Sequence, residues 1–181
     1  HSVDAYIARL VQKGYKVAIC EQMEDPALAK GLVERDITRI ITPGTVTESC
    51  MLEESRNNYM GCIYGQSGQY GLAFCDLSTG AFFATTCADP RSVASELGRF
   101  SPSEVLRWGE NVDCDGIHDA LYHRLSCCVD EGEETLFRQE ACERLLQSHF
   151  NAPIEKLGLA TYPLATIASG ALLQTLLDLP K

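Results

Sequence analysis

Carboxylate side chains are the first candidates for chemistry in this sequence, which has 25 Asp and Glu residues against 15 Lys and Arg. A nuclease that uses two metal ions needs several carboxylates around ions about 4 Å apart. The predicted strand 59–65 has no carboxylate, and Asp76 ends the next predicted strand just before Ser78, where an Asx turn explains it. A free-standing metal-dependent nuclease is therefore the alternative function and not the leading one.

A second group of acids lies in a predicted loop and consists of Asp130, Glu131, Glu133 and Glu134. The loop leads into a predicted helix, and negative charge near a helix N-terminus is stabilised by the helix dipole. We therefore interpret these acids as structural. A weakly bound cation or a basic partner surface is the alternative.

Histidine and cysteine residues do not have the spacing of a metal site or a nucleophile. His118 and His123 lie five residues apart on one predicted helix, whereas helical metal pairs prefer spacings of three or four. Cys127 and Cys128 are adjacent, so in a strand they point to opposite faces. The nine cysteines are scattered, which favours reduced thiols in a cytosolic core. We predict no catalytic residue and no metal ligand.

The charge distribution argues against a phosphate-binding surface in the middle of the chain. The net charge is −10. Residues 1–45 are neutral, and residues 46–160 carry eight Lys and Arg against eighteen Asp and Glu. An acidic surface repels nucleic acid and suits a protein partner. The sequence has neither a G-x-x-x-x-G-K-[ST] loop nor a membrane-length apolar run, which predicts a cytoplasmic location and no ATP or other cofactor in this stretch.

The first part of the chain predicts a partial α/β unit. An amphipathic helix over 1–14 is followed by a strand over 15–20, a short helix from Asp25 to Gly31, and a strand over 36–42. Thr42-Pro43-Gly44-Thr45 predicts a turn. Residues 47–57 are polar and are interpreted as a linker.

The second part predicts an α/β fold with one mixed sheet. Three strands at hairpin spacing are expected first, and strand–helix units then add parallel strands through right-handed crossovers. The predicted strands are 59–65, 70–77, 81–87, 104–108 and 125–129, and the predicted helices are 90–99, 115–125, 134–150 and 161–179. The helix over 134–150 is expected to bury Phe137, Ala141, Cys142, Leu145, Leu146 and His149. The last helix is apolar on more than one side, so we expect chain outside this sequence to cover it. We interpret both ends of the sequence as cuts within a larger protein.

Two groups of motifs resemble the MutS family of mismatch-repair proteins. The first group resembles the second half of the mismatch-recognition domain, and the second resembles a hairpin of the connector domain that follows. The first group is His1-Ser2-Val3-Asp4, Ala18-Ile19-Cys20-Glu21-Gln22, Asp25-Pro26, Ala29-Lys30-Gly31, Val33-Glu34-Arg35 and Arg39-Ile40-Ile41-Thr42-Pro43-Gly44-Thr45; the second is Asp76-Leu77-Ser78-Thr79-Gly80-Ala81-Phe82.

The resemblance implies a division of the chain and a role for each part. Residues 1–46 correspond to the mismatch-recognition domain, 47–57 to a linker, 58–158 to an RNase H-like connector domain, and 159–181 to the start of a core or lever domain. MutS proteins are dimeric clamps that bind mismatched DNA and use ATP with magnesium to recruit MutL. The mismatch-reading Phe-x-Glu motif of the family is absent here, so this stretch is expected neither to sense mismatches nor to hydrolyse ATP.

The resemblance also suggests two candidate surfaces. Contacts to the DNA backbone are carried over only to matching basic positions, and a solvated charge is the competing interpretation for each. These positions are His1, Lys30, Arg35 and Arg39. The exposed side of the 134–150 helix is the candidate MutL-docking surface. It consists of Gln139, Glu140, Glu143, Arg144 and Gln147.

Overall fold

A computed structural model of the chain describes residues 2–25, 27–28, 31–47 and 56–180. Within these residues the chain forms an N-terminal unit of one helix and two strands, followed by a five-stranded sheet with helices on both faces. The predicted α/β class and the order of the main elements are confirmed.

The N-terminal unit has a small core between a helix and a two-stranded ribbon. Helix α1 (Ser2–Gln12) turns Ile7 and Val11 toward Ile41 and Val46, and these four residues are buried. Strands β1 (Val17–Gln22) and β2 (Arg35–Ile41) pair antiparallel. The opposite face of the ribbon is open, with Ile37 49% exposed. Four buried side chains contribute little free energy, so the unit depends on its contacts with the sheet.

The predicted helix from Asp25 to Gly31 is wrong for the residues that the structure describes there. The Asp25 carboxylate accepts a hydrogen bond from the Ala27 N–H at 2.9 Å, and the Asp25 carbonyl accepts one from the Leu28 N–H. These contacts form a turn between two antiparallel strands. Asp side chains compete with helical bonds in this way, because they hydrogen-bond to backbone two residues ahead. Pro26, Ala29 and Lys30 lie outside the described residues.

The five-stranded sheet has the predicted mixture of directions. Its strands are β3 (Tyr59–Gln66), β4 (Gln69–Asp76), β5 (Ala81–Cys87), β6 (Glu104–Gly109) and β7 (Cys128–Glu131). The spatial order is β5-β4-β3-β6-β7. The first three strands are an antiparallel meander, while β6 and β7 are parallel to β3. Both outcomes confirm the sequence pattern.

Helices cover both faces of this sheet and divide its core in two. Helices α2 (Pro90–Phe100) and α3 (Asp115–His118), with a π-helical turn over Asp119–Arg124, cover one face. A 3₁₀ turn (Glu134–Phe137), helix α4 (Gln139–Phe150) and helix α5 (Pro163–Leu177) cover the other.

Helix α5 packs directly on the sheet through small residues. A Cβ atom on Gly71 of β4 would lie 2.0 Å from the Leu164 carbonyl oxygen, and one on Gly170 would lie 2.3 Å from the Cys142 Cβ. Gly71 therefore allows α5 to approach the sheet closely, and Gly170 allows α5 to approach α4. All ten residues of α5 from Leu164 to Leu173 are buried. The expectation that outside chain covers this helix is wrong for these ten residues. No described helix is both long and apolar enough to span a membrane.

The predicted helix over 134–150 is interrupted at Arg138, whose φ of −89° and ψ of 120° are extended. The interruption rotates α4 relative to the preceding 3₁₀ turn, because an extended residue breaks the helical phase. Phe137, Cys142 and Leu146 are buried as predicted, and Leu145 is half-buried. Ala141 and His149 are exposed, so their assignment to the inner face is wrong.

Candidate functional site at the junction of the two units

A buried carboxylate joins the N-terminal unit to the sheet. Glu104, the first residue of β6, is only 2% exposed. Its Oε2 accepts hydrogen bonds from the Thr42 hydroxyl at 2.5 Å and from the Gly44 N–H at 2.9 Å. A buried charge needs such donors, because burial without them costs several kcal/mol. The turn at the end of β2 is therefore held by the sheet.

The same turn is held by a second set of bonds to its proline carbonyl. The Pro43 oxygen accepts from the Asn58 amide at 2.8 Å and from the Ser103 hydroxyl at 3.0 Å. Gly44 packs so tightly here that an added Cβ would lie 2.7 Å from the Glu104 Cβ. The predicted turn over residues 42–45 is confirmed, and its glycine is required by this close approach.

Lys16 brings positive charge to the junction. Its Nζ lies 2.7 Å from the Asp130 carboxylate and 3.6 Å from that of Glu104. Burial raises the pKa of Glu104, and the neighbouring Asp130 raises it further, against the lowering effect of the bonds from Thr42 and Gly44. Burial alone would lower the pKa of Lys16, but the bond to Asp130 and the nearby carboxylates raise it overall. We call Lys16, Thr42, Gly44, Glu104 and Asp130 the junction cluster.

Two members of the acidic loop have a partner that the sequence analysis did not identify. Asp130 and Glu131 belong to strand β7, so placing them in a loop is wrong. Asp130 pairs with Lys16, and Glu131 accepts a bond from Arg107 Nε at 2.6 Å. The basic group facing this loop is thus a lysine of the chain's own N-terminal unit. An acid as the first residue of the predicted strand 104–108 was the signal for Glu104, and the sequence had no signal for Lys16.

Within the described residues, one group of three potential metal ligands occurs, formed by Glu104, Cys128 and Asp130. The Lys16 ammonium lies against both carboxylates of this group and supplies the positive charge. Burial raises the pKa of Cys128, and it raises that of Cys127 to about 12. A thiol with a raised pKa is a poor nucleophile. The arrangement is an ion-paired cluster that joins the N-terminal unit to the sheet.

Asp76 has the structural role that its sequence context indicates. The carboxylate is fully buried and accepts bonds from the Ser78 N–H at 2.9 Å, the Ser78 hydroxyl at 2.6 Å and the Asn58 N–H at 3.2 Å. An Asx turn with these donors satisfies the carboxylate. Among the described residues, Asp76 belongs to no group of three potential metal ligands.

The two helix histidines are closer than an α-helix would place them. Their ring centroids are 5.9 Å apart because the segment from Asp119 to Arg124 is π-helical. A π-turn has more than four residues, so positions five apart share a face. The expectation that His118 and His123 do not share a helix face is therefore wrong. Neither ring belongs to a group of three ligands among the described residues.

The two candidate DNA-contacting residues that the structure describes, Arg35 and Arg39, do not share a face of the ribbon. His1 and Lys30 lie outside the described residues, while Arg35 and Arg39 are both exposed on β2. The register passes from Ile19–Arg39 to Cys20–Ile37, which leaves Thr38 as an extra residue. Because this β-bulge reverses the alternation, Arg35 and Arg39 lie on opposite faces of the ribbon. Arg35 shares the open face with Ile37, and Arg39 shares the helix-covered face with Ile19.

The candidate docking residues lie together on α4. Gln139, Glu140 and Arg144 are exposed, while Glu143 and Gln147 are half-buried. The Gln139 amide donates to Glu143 at 3.0 Å, and Gln147 accepts from the Ile154 N–H at 3.0 Å. The side chains of Gln139, Glu140, Glu143 and Arg144 therefore form a continuous polar surface. Gln147 instead binds the loop that follows the helix.

Comparisons with known proteins cover both units. The family described as MutS domain I matches residues 1–50, and the family described as MutS domain II matches residues 58–179. The DNA mismatch repair protein MutS of Acetivibrio thermocellus is 44% identical over 179 residues, which are 97% of this chain and 20% of that protein. The protein of the same name from Methanococcoides burtonii is 40% identical over 96% of this chain and 20% of its own length. The chain thus spans about a fifth of the length of these relatives.

Proposed function

This chain belongs to the MutS family of DNA mismatch repair proteins, and from that we propose that it acts as a connector which transmits the state of a DNA-reading domain to the rest of a longer protein. The junction cluster is the observation that supports this role. It fixes the end of β2 to the first residue of β6, which lies between β3 and β7 inside the sheet. A displacement of the N-terminal unit therefore acts on an interior strand.

The activities of the longer protein belong to this proposal as well. We propose that it is a cytoplasmic homodimer that binds mismatched duplex DNA and hydrolyses ATP with magnesium, and that this stretch contributes no catalysis and no membrane contact. The name of these relatives, DNA mismatch repair protein MutS, supports the repair role.

The coupling role is tested in the full-length protein with Glu104→Ala. We expect basal ATP hydrolysis to persist and its stimulation by mismatched DNA to fall, because the junction cluster no longer connects the two units. Glu96→Ala on α2 is the matched control, since Glu96 pairs with Arg99 three residues away on the same helix. An unchanged response in a folded Glu104→Ala protein would contradict the coupling role.

We propose that α4 supplies part of the MutL-docking surface. Its exposed polar face, formed by Gln139, Glu140, Glu143 and Arg144, supports this, because acidic side chains suit a basic partner and speed its association. The experiment is a pull-down with MutL after charge reversal at Glu140 and Glu143. Reversal at Asp113 and Glu155 makes the same charge change elsewhere. Equal MutL capture by both variants would remove this surface.

We propose that Arg35 contacts the DNA backbone from the open face of the ribbon, with Arg39, His1 and Lys30 as further candidates. Phosphate contacts position a protein without reading sequence. Arg35→Gln in the full-length protein should therefore weaken binding to matched and mismatched duplexes alike and reduce the salt slope by about one ion. Arg91→Gln on α2 is the control for loss of charge.

The sheet also supports an RNase H-like fold, because an antiparallel meander is followed by two parallel strands in the order β5-β4-β3-β6-β7. The alternative function, a metal-dependent nuclease, is not favoured, because the Asp76 carboxylate is already bonded to Ser78 and Asn58. Incubating the chain with DNA and RNA in Mg²⁺ or Mn²⁺ tests it. Cleavage that is lost in Asp76→Asn would revive the nuclease.

A further inference from the structure

Strand β5 is an edge strand without the usual protection against pairing. Its sequence, Ala81–Cys87, contains no charged residue and no proline. It pairs with β4 over seven consecutive residues in unbroken register, and no other strand of the described residues pairs with its outer side. Proteins generally protect such edges with charges, prolines, bulges or a covering element, because the free N–H and C=O groups can pair with another chain.

A groove runs beside this edge on the α5 face of the sheet. It has a volume of about 550 Å³ and lies between β5, the end of α4, the loop that follows α4, and the start of α5. Most of the side chains that line it are apolar or aromatic. They include Phe82, Leu146, Phe150, Leu157, Leu159 and Tyr162. A groove of this size accommodates a large side chain with part of its backbone.

One polar group in the wall of the groove has no partner. Ser169 on α5 is 1% exposed, and its hydroxyl makes no hydrogen bond within the described part of the chain. By contrast, Thr166 and Thr175 on the same helix each donate to a carbonyl four residues earlier. A buried hydroxyl without a partner destabilises the fold, because it has lost its hydrogen bonds to water. Ser169 lines the groove, so a bound group can supply the missing partner.

We infer that this groove binds an extended peptide segment of a partner protein, which adds to β5 as a sixth strand and inserts one aromatic side chain with a polar tip, such as tyrosine. The free strand edge selects an extended backbone, because only another strand matches its alternating donors and acceptors. The aromatic groove selects the inserted ring, and Ser169 selects its polar tip. Tyr and Trp combine these two properties.

Charge determines what should flank the inserted residue. Residues 46–160 carry eight Lys and Arg against eighteen Asp and Glu, and the exposed Asp89 follows the end of β5. Near the loop, Glu155 and Lys156 offset each other. Basic residues at the ends of the peptide are therefore complementary. The site is separate from the α4 docking residues and does not depend on the proposed function.

Calorimetric titration of the full chain with a blocked peptide tests this inference. The probe has two lysines at each end and a central Val-Thr-Tyr-Thr-Val. We expect saturable binding that falls when the tyrosine is replaced by alanine or when both threonines are replaced by proline. Equal binding of the proline peptide would overturn strand addition, and no binding up to about 1 mM would overturn the site.

Two variants of the chain complete the test. Ser169→Ala should weaken the tyrosine peptide by about fivefold and leave a phenylalanine peptide unchanged, while the melting temperature stays equal or rises because an unpaired hydroxyl is removed. Thr175→Val is the matched control, and it should leave both peptides unchanged. Thr86→Lys places a charge on the edge and should weaken all peptides. Sedimentation that shows dimers of the chain, abolished by Thr86→Lys, would identify a second copy as the occupant and overturn the inference.

Discussion

The two edges of the sheet, β7 and β5, are constructed in opposite ways. Strand β7 has four residues, two of them acidic, and both acids are paired with basic side chains of the same chain. Strand β5 has seven residues, none of them charged, and a groove lies beside it. Short, charged edges resist pairing with other chains, and long, neutral edges favour it.

The β7 edge of the sheet is thus bound to another part of the same chain, whereas the outer edge of β5 pairs with no other strand of the described residues. At β7, Lys16 of the N-terminal unit lies 2.7 Å from Asp130, so charge holds two parts of one chain together. At β5, the outer backbone edge pairs with no other strand of the described residues, and a groove lies beside it. Substitutions of the junction residues on β6 and β7 should therefore be costly, and those of exposed side chains on β5, such as Thr86, nearly neutral.

The largest loss is expected for Glu104→Ala. The substitution removes the acceptor of two donors at the buried junction, the Thr42 hydroxyl and the Gly44 N–H, so the free energy of unfolding should fall by about 3 kcal/mol. Urea unfolding followed by Trp108 fluorescence measures the loss. A loss under about 1 kcal/mol would mean that the junction contributes little more to the free energy of unfolding than the β5 edge does.

A somewhat smaller loss is expected for Gly44→Ala. The new Cβ would lie 2.7 Å from the Glu104 Cβ and 3.1 Å from the Met60 Cβ, and neither atom moves without its backbone. Overpacking of this kind should cost about 2 kcal/mol. Gly98→Ala on α2, where an added Cβ meets nothing within 4 Å, is the control and should be neutral or stabilising.

The junction should also respond to pH in a defined direction. Burial raises the pKa of Glu104 above its ordinary value of 4.5, so the folded state binds its proton more tightly than the unfolded state. The resulting stabilisation is present below pH 4.5 and is lost as the pH rises through the raised pKa. The unfolding free energy of the native chain minus that of Glu104→Gln should therefore decrease as the pH rises over that interval. An increase of this difference with pH would show that the pKa is lowered in the folded state.

Removing Lys16, the exposed basic member of the junction cluster, should lower the free energy of unfolding only modestly. Lys16→Met deletes the 2.7 Å pair with Asp130, but the lysine is 44% exposed and solvent screens its charge. We expect a loss of about 0.5–1 kcal/mol that diminishes in high salt. If Lys16→Met lowers the free energy of unfolding more than Glu104→Ala does, Lys16 contributes more to the stability of the junction than the Glu104 carboxylate.

The smallest effect is expected at β5. Thr86 is exposed on the edge strand, so Thr86→Lys should change the unfolding free energy by less than about 0.5 kcal/mol. Thermal unfolding of the two chains side by side measures it. A large loss would show that the β5 edge has an internal contact and would end the contrast with β7.

The sequence was informative wherever a pattern is local. Hairpin spacing located β3 to β5, Asp89 before Pro90 located the start of α2, and a segment that is apolar on more than one side marked α5 for burial. Asp89 does cap α2, accepting from the Ser92 N–H at 2.7 Å. Local patterns suffice for these elements because short-range hydrogen bonds and the burial of one face determine them.

The remaining features depend on contacts between distant residues or on single irregular positions. Lys16 and Asp130 are 114 residues apart in sequence, so no spacing rule could have paired them. The extra residue Thr38 in β2 and the π-helical turn after His118 each change which side chains share a face. A periodicity argument assumes regular geometry, so it fails at these positions. The candidate site was for this reason the least predictable part of the molecule.

The bonds from Glu104, Asn58 and Ser103 to the turn over residues 42–45 have a consequence for chain integrity. They connect the two units by a route that bypasses residues 48–55. Cleavage of the backbone in that interval would therefore leave two pieces that stay associated, and the missing covalent link would lower only their effective concentration. A nicked protein of this kind would keep its shape until it was diluted.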